Sequence, residues 1–216
     1  GNGSQTIDGE ASITLVPTEG ILVWTDGTNW FSIGRIKRTQ VAPQGHLTTV
    51  SSATDPINPV PTSDQVSKTA LVYRPLPTGN LIPIPDGTNF TVREFSEMSL
   101  SLVANHLAST IYDVFGFLDG STLRIGTGPA WNNSAIGAGA RGAGAGTTEL
   151  TALKGLLVNN VAMTARNGAS TYSVGAKNGI YLGSIFIDAS AGQITCHRSW
   201  GQSRKWGVWN AYNRRP

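Results

Sequence analysis

The residues best suited to chemistry in this sequence are Cys196 and His197, which are adjacent. A thiol beside an imidazole could act as a nucleophile with its base. However, neighbouring residues of a β-strand point to opposite faces, so these two side chains would not meet if the segment is a strand. We therefore expect Cys196 to be a small buried residue and His197 to be exposed or in an interface.

Acidic residues and catalytic motifs do not indicate an enzyme either. A glycosidase needs two carboxylates across a sugar-binding groove, and we interpret the pair Glu94 and Glu97 as a solvated entry to a strand. The sequence contains no Gly-x-Ser-x-Gly elbow, His-Glu-x-x-His helix or Cys-x-x-Cys pair. With one Cys and three His residues, it also predicts no zinc site and no disulfide framework. We predict no catalytic activity, no metal and no cofactor.

A glycan is the ligand for which the sequence offers a candidate site. Sugar sites combine an aromatic platform with a few polar groups, and Trp131 is followed by Asn132 and Asn133. The alternative is that Trp131 is a core residue. The neighbouring run 135–146, "AIGAGARGAGAG", lacks the Gly-Lys-Ser/Thr of a phosphate-binding loop and is predicted to be a flexible surface loop.

The C-terminal segment is basic and rich in aromatic residues. From residue 194 onward it contains no acid, and its positive residues are Arg198, Arg204, Lys205, Arg214 and Arg215. Such a segment could bind nucleic acid by stacking bases on tryptophan. We favour the alternative that Trp206, Trp209 and Tyr212 pack in the core or in a subunit interface. We therefore predict no nucleic-acid partner, and the lack of a long apolar run predicts no membrane span.

The composition favours an all-β fold to carry these residues. Charged residues make up 13% of the chain, and it contains 26 glycines, a mixture typical of strands joined by many turns. Three Asp-Gly pairs between apolar runs predict tight hairpin corners. They are Asp26-Gly27, Asp86-Gly87 and Asp119-Gly120, and the first two share the sequence Asp-Gly-Thr-Asn before an aromatic residue.

We divide the chain into three parts. The pattern of residues 1–34 predicts a β-hairpin module. The opening residues contain neither an initiator Met nor a signal peptide, so we expect this module to be the end of an upstream attachment domain. Residues 35–66, rich in Pro, Ser and Thr, predict an extended linker in which His46 is exposed. Residues 67–216 predict an antiparallel β-sandwich or jelly-roll-like domain, although "TELTALKGLLVN" at 148–159 is ambiguous between helix and strand.

Two parts of the sequence resemble virion proteins of tailed bacteriophages. The C-terminal part contains a Tyr-Leu-Gly strand at 181–183, an Ala-Gly-Gln turn at 191–193 and a final "WNAYNR" at 209–214, after a "YDVF" strand at 112–115. These elements are similar to the C-terminal β-domain of phage fibre and spike proteins, over about residues 70–216. The N-terminal "DGTNW" at 26–30 is similar to a hairpin module of the same proteins.

This resemblance implies a structural role on the particle. It implies a homotrimeric fibre or spike, on the tail or the capsid surface, which contacts other virion proteins through its N-terminal region and projects a β-domain. Two alternatives remain open at this point: a receptor-recognition module that binds a host surface glycan, and a capsid decoration protein without a host-binding role.

Overall fold

The computed structural model describes residues 6–8, 19–37, 41–57, 60–131, 150–198 and 205–212. The chain divides into two compact units, Gly1–Val41 and Ala42–Pro216. All regular elements within the described residues are β-strands, and the named strands pair antiparallel. The predicted all-β class is therefore confirmed.

The N-terminal unit contains one described hairpin, made of β1 (Glu19–Thr25) and β2 (Trp30–Lys37). Its register pairs Thr25 with Trp30 and Trp24 with Phe31, on either side of the predicted Asp26-Gly27 corner. A β-bulge follows Leu22 and shifts the register by one residue. A two-stranded hairpin is at best marginally stable in water by itself.

The described part of the C-terminal unit contains fifteen strands joined by turns and loops. Its first half contains β3 (Gly45–Thr48), β4 (Gln65–Lys68), β5 (Ala70–Pro75), β6 (Leu81–Pro85), β7 (Phe90–Glu94), β8 (Met98–Ser101), β9 (Ile111–Asp119) and β10 (Thr122–Ala130). Its second half contains β11 (Leu150–Leu153), β12 (Leu156–Asn159), β13 (Met163–Asn167), β14 (Ser170–Val174), β15 (Ile180–Phe186), β16 (Ile194–Cys196) and β17 (Val208–Asn210).

An eight-stranded sheet organises this unit. Seven of its strands follow the order β11-β12-β15-β9-β10-β13-β14, and β17 also pairs with β15. Smaller sheets are formed by β3-β5-β8, by β16-β4 and by β6-β7. The neighbours β9 and β10 form a long hairpin around Asp119 and Gly120, the third predicted corner.

Two hydrophobic cores lie against opposite faces of the large sheet, because Val114 and Phe115 are consecutive on β9 and belong to different cores. The first core joins the large sheet to β3-β5-β8 and to β6, through residues that include Leu47, Leu71, Tyr73, Ile82, Ile84, Leu100, Val114 and Ile180. The second core is smaller and contains Phe115, Phe117, Met163, Ala165, Val174 and Tyr181.

The structure differs from the predicted linker at β3. All four residues of this strand are buried, and it pairs with β5 in the C-terminal unit. His46 is 5% exposed, so the expectation of an exposed histidine was wrong. A Cβ at Gly45 would lie 2.7 Å from Tyr73 and Phe95 atoms, so this buried position must be a glycine. Because glycine has no apolar side chain, the strand shows no periodic apolar pattern in the sequence.

The ambiguous segment at 148–159 contains a β-hairpin in its described part. β11 and β12 pair through four residues on each side of Lys154 and Gly155. Both turn residues have positive φ, 47° and 87°, as a two-residue hairpin turn requires. Lys154-Gly155 therefore joins two strands rather than interrupting a helix.

Candidate functional site

The two Asp-Gly-Thr-Asn corners have the same geometry. Asp26 Oδ1 accepts hydrogen bonds from the backbone N–H groups of Thr28 and Asn29, both at 2.8 Å. These bonds, the one from Asn29 first, hold the pKa of the Asp26 carboxyl below its usual value. Gly27 has a φ of 92°, a value that glycine adopts without steric cost.

The second corner repeats these contacts. Asp86 Oδ1 accepts from the N–H groups of Thr88 at 2.9 Å and Asn89 at 2.7 Å, and Gly87 has a φ of 94°. Its carboxyl pKa is lowered by the same two bonds, that from Asn89 first. Both carboxylates therefore cap their own turns, as expected for aspartates at hairpin corners.

The third corner has a different partner for its carboxylate. Gly120 has a φ of 59°, whereas Asp119 Oδ2 accepts a 2.8 Å bond from Arg124 Nε. This ion pair crosses the β9–β10 hairpin at the surface, where it contributes little to stability.

The C-terminal aromatic residues occupy two different environments. Tyr212 is half-buried, packs against the first core and accepts a 3.1 Å hydrogen bond from the Leu157 N–H through its hydroxyl. Burial raises its pKa. Trp206 and Trp209 are 70% and 56% exposed. Within one chain these two tryptophans do not lie in the core, which leaves the subunit interface as the predicted role.

Strand β17 is fixed to the domain beside these tryptophans. The Asn210 amide donates to the Leu47 carbonyl at 3.1 Å and accepts from the Leu47 N–H at 2.6 Å. It thereby pairs with β3 as a neighbouring strand would. A Cβ on Gly183 would clash with the Trp209 carbonyl oxygen, so glycine is required where β17 crosses β15.

The N-terminal hairpin carries an exposed apolar face. Leu22, Trp24, Phe31 and Ile33 are 58%, 56%, 39% and 63% exposed. Trp24 and Phe31 are directly opposite each other and Leu22 is two residues before Trp24, so these three side chains share one face. Ile33 is the extra residue at the β-bulge next to them. The sequence predicts the strands, but it does not predict that this face is uncovered.

The catalytic alternatives gain no support from the structure. Cys196 and His197 are both half-buried and border a cavity of about 130 Å³. Burial raises the pKa of the Cys196 thiol, which disfavours the nucleophilic thiolate. Glu97 Oε2 accepts a 2.7 Å bond from the Ser52 N–H, while Glu94 is exposed at the end of β7.

The predicted glycan contacts are described in part. Trp131 is half-buried directly after β10, and its backbone N–H donates to the Ile111 carbonyl at 2.9 Å. Asn132, Asn133 and the glycine- and alanine-rich run 135–146 lie outside the described residues. The described residues therefore do not test whether Trp131, Asn132 and Asn133 form one site.

The structure contains an open groove that the sequence does not predict, and its lining includes Ala130, the residue before Trp131. Its volume is about 730 Å³, and its lining includes Asn105, Leu107, Tyr112, Thr127, Thr164 and Arg166. These residues come from the loop after β8, from β9 and β10, and from β13, which is distant in sequence from the other three. The groove thus depends on the sheet topology, since only the β10–β13 pairing brings Thr127 opposite Arg166.

A hydrogen-bond chain fixes the loop that forms one wall of this groove. The Val103 N–H donates to His106 Nδ1 at 3.1 Å, and His106 Nε2 lies 3.0 Å from Thr127 Oγ1. The Tyr112 hydroxyl accepts a 2.8 Å bond from the Leu107 N–H. Burial, and then the charge of Arg166, lower the pKa of His106 and favour its neutral ring.

The described residues also bear on metal binding and on membrane insertion. They contain no group of three or more His, Cys, Asp or Glu side chains that could hold a metal ion. No helix in this part of the chain has the length and apolar character needed to cross a membrane. No known protein family, curated protein or solved structure matches this chain.

Proposed function

We propose that this chain is a structural component of a tailed-phage virion, a fibre or spike that assembles as a homotrimer on the tail or the capsid surface. The N-terminal hairpin unit associates with other copies and with virion proteins. The C-terminal β-domain projects from the particle, where it contacts the host surface. The resemblance of residues 70–216 and of the "DGTNW" corner to phage fibre proteins supports the assignment to a virion.

The observation that carries the proposal is the apolar face of the β1–β2 hairpin. Four large apolar side chains on two strands are too many to leave in water on a structure that is marginal alone. Burying one such side chain is worth about 1.5–3 kcal/mol. Association through this face would therefore supply the stability that one copy of the hairpin lacks.

The exposed tryptophans near the C-terminus support association independently. Trp209 lies on β17, which is anchored through Asn210 and Gly183, and Trp206 pairs with Cys196 in an isolated β-bridge. The backbone at both tryptophans is therefore held in place before any partner binds. A preordered aromatic surface loses less entropy on association than a flexible one. Tryptophan is also among the residues enriched at protein interfaces.

The finer fold assignment is part of this proposal. We propose that the C-terminal domain is a β-sandwich of the jelly-roll type, because the first core joins the eight-stranded sheet to the smaller sheet β3-β5-β8. Sheets that pack face to face over one apolar layer define this architecture.

A second candidate function is host recognition through a glycan, which is compatible with the first. The open groove of about 730 Å³ favours it, because its size falls in the range of small-ligand sites and it offers both polar and apolar contacts. A capsid decoration protein without host contact is the remaining alternative, and it would leave this groove without a ligand.

Particle-level localisation tests the main proposal. Antibodies against the purified domain should label phage particles at the tail or on the capsid surface in electron micrographs, in multiples of three copies. Particles that lack the gene product should lose the labelled projection. An absence of label from intact, purified particles that contain every other virion protein would contradict the assignment.

A further inference from the structure

The groove between the loop after β8 and strands β10 and β13 contains one cation and otherwise neutral lining residues. Arg166 is half-buried at its border. No carboxylate of the described residues lines the groove, and none of the ion pairs within those residues involves Arg166. The guanidinium charge is therefore uncompensated by the described lining.

The other lining groups suit a ligand with both polar and apolar faces. Asn105 and Thr164 are exposed at the groove and can donate or accept hydrogen bonds. Leu107 and Val161 are 57% and 43% exposed and offer apolar contacts. A pyranose ring has this character, because its hydroxyl groups lie around the ring edge and its C–H groups form apolar patches.

From this arrangement we infer that the groove binds a saccharide that carries a carboxylate, such as a uronic acid or a sialic acid, with Arg166 pairing with the carboxylate. A guanidinium presents a planar fork of N–H donors that matches a carboxylate through two parallel bonds. The inference rests on the proposed host-contact role of the projecting domain, and it names the ligand class for that role.

The groove wall is fixed before any ligand arrives. His106 is fully buried and bonds to Val103 and Thr127, while Tyr112 holds the Leu107 N–H. The loop therefore loses little freedom when a ligand binds, which favours binding by a preformed site. Sugar affinities are typically weak, so the preformed wall matters for detecting binding at millimolar concentrations.

The experiment is a titration of the purified full chain with saccharide probes. Binding is monitored through the NMR chemical shifts of the backbone amides and through saturation transfer from protein to ligand. The probes are sialyllactose and a digalacturonate, with lactose and the methyl-esterified digalacturonate as neutral matches. We expect shifts at the Thr164 and Arg166 amides with the acidic probes and not with the neutral ones. Inorganic phosphate serves as a separate probe and should bind at least tenfold more weakly.

Two variants and one control connect binding to the groove. Arg166→Gln should weaken binding of the acidic probes about tenfold or more, since bonds to charged groups are the strong ones. Thr164→Phe, at an exposed strand position, should block the groove without touching Arg166. Arg93→Gln, which removes the same charge from an exposed position on β7, should bind like the unaltered protein.

Several results would overturn the inference. These are no binding of either acidic probe, equal binding of the neutral matches, equal or tighter binding of phosphate, or unchanged affinity in both Arg166→Gln and Thr164→Phe. If Arg166→Gln fails to fold, the affinity of Thr164→Phe for the acidic probes alone tests the groove assignment. Binding is measured separately from the mass of the assembly and from particle labelling, so a failed titration leaves the structural role standing and a failed trimer leaves the groove assignment standing.

Discussion

The ring centroid of Trp24 lies 5.6 Å from that of Phe31, and the two residues are directly opposite each other on β1 and β2. Both rings are substantially exposed, at 56% and 39%. Aromatic pairs across two strands stabilise a hairpin, yet this pair also presents its outer surface to solvent together with Leu22 and Ile33. In our account this surface is where identical chains meet.

Removing this pair should weaken association between chains. In the double variant Trp24→Ser with Phe31→Ser, we expect dissociation at protein concentrations where the unaltered chain remains assembled, because the apolar area of the interface is lost. Sedimentation velocity across a dilution series measures the effect. Thr28→Ala, at the exposed corner of the same hairpin, is the control and should assemble normally. Unchanged assembly of the double variant would show that the hairpin face is not an interface.

Asn210→Ala should destabilise the C-terminal unit. It removes two hydrogen bonds to the backbone of Leu47, which is 2% exposed. Leaving a buried backbone group unsatisfied costs about 1–3 kcal/mol, so we expect a loss of roughly 2–4 kcal/mol in the free energy of unfolding. Urea denaturation measures this loss. Asn80→Ala, at an exposed position, should change stability by less than about 0.5 kcal/mol.

The Asp86-Gly87 corner should not tolerate a side chain at its glycine. Gly87 has a φ of 94°, and an alanine forced into such a conformation is strained by about 1–2 kcal/mol. We therefore expect Gly87→Ala to lower the thermal unfolding midpoint. Thr88→Ala at the same exposed corner needs no change in backbone conformation and should unfold near the unaltered midpoint. Equal midpoints for the two variants would mean that the corner relaxes without cost.

Stability should fall as the pH drops below 6.5, the usual pKa of histidine, because of His106. Burial keeps this ring neutral in the folded state, so its folded pKa lies below the unfolded value. The unfolded chain then binds more protons between the two values, and acidification favours unfolding. The contribution is fully present above 6.5 and is lost as the pH falls through the folded pKa.

The variant His106→Gln isolates the contribution of this residue. Urea midpoints measured above and below 6.5 should differ less in the variant than in the unaltered chain. The comparison uses the pH dependence rather than absolute stability, since the substitution also changes a buried side chain. An identical pH dependence in both proteins would assign the effect to another group.

The sequence predicted the features that depend on local backbone chemistry. The all-β class follows from composition and alternation, and the Asp-Gly corners follow from the requirement for positive φ at Gly27, Gly87 and Gly120. These properties are encoded within a few residues. The Lys154-Gly155 turn uses the same chemistry, but the spacing of leucines around it also fits a helix, so the pattern alone was ambiguous.

The features that depend on long-range contacts were not predictable. β3 has one large apolar residue, Leu47, and is buried because Gly45 faces two aromatic rings and Asn210 completes its hydrogen bonds from across the chain. The groove likewise joins residues from four separate segments. A periodic pattern cannot reveal either feature, since each depends on which strands become neighbours.

The mass of the purified chain in dilute solution, measured by light scattering during size-exclusion chromatography, decides whether several copies are needed for the assembled state. We predict a species of three times the chain mass that persists on dilution to low micromolar concentration. The Trp24→Ser with Phe31→Ser variant should shift to the mass of one chain. A stable single-chain species with the hairpin intact and no tendency to associate would contradict this account.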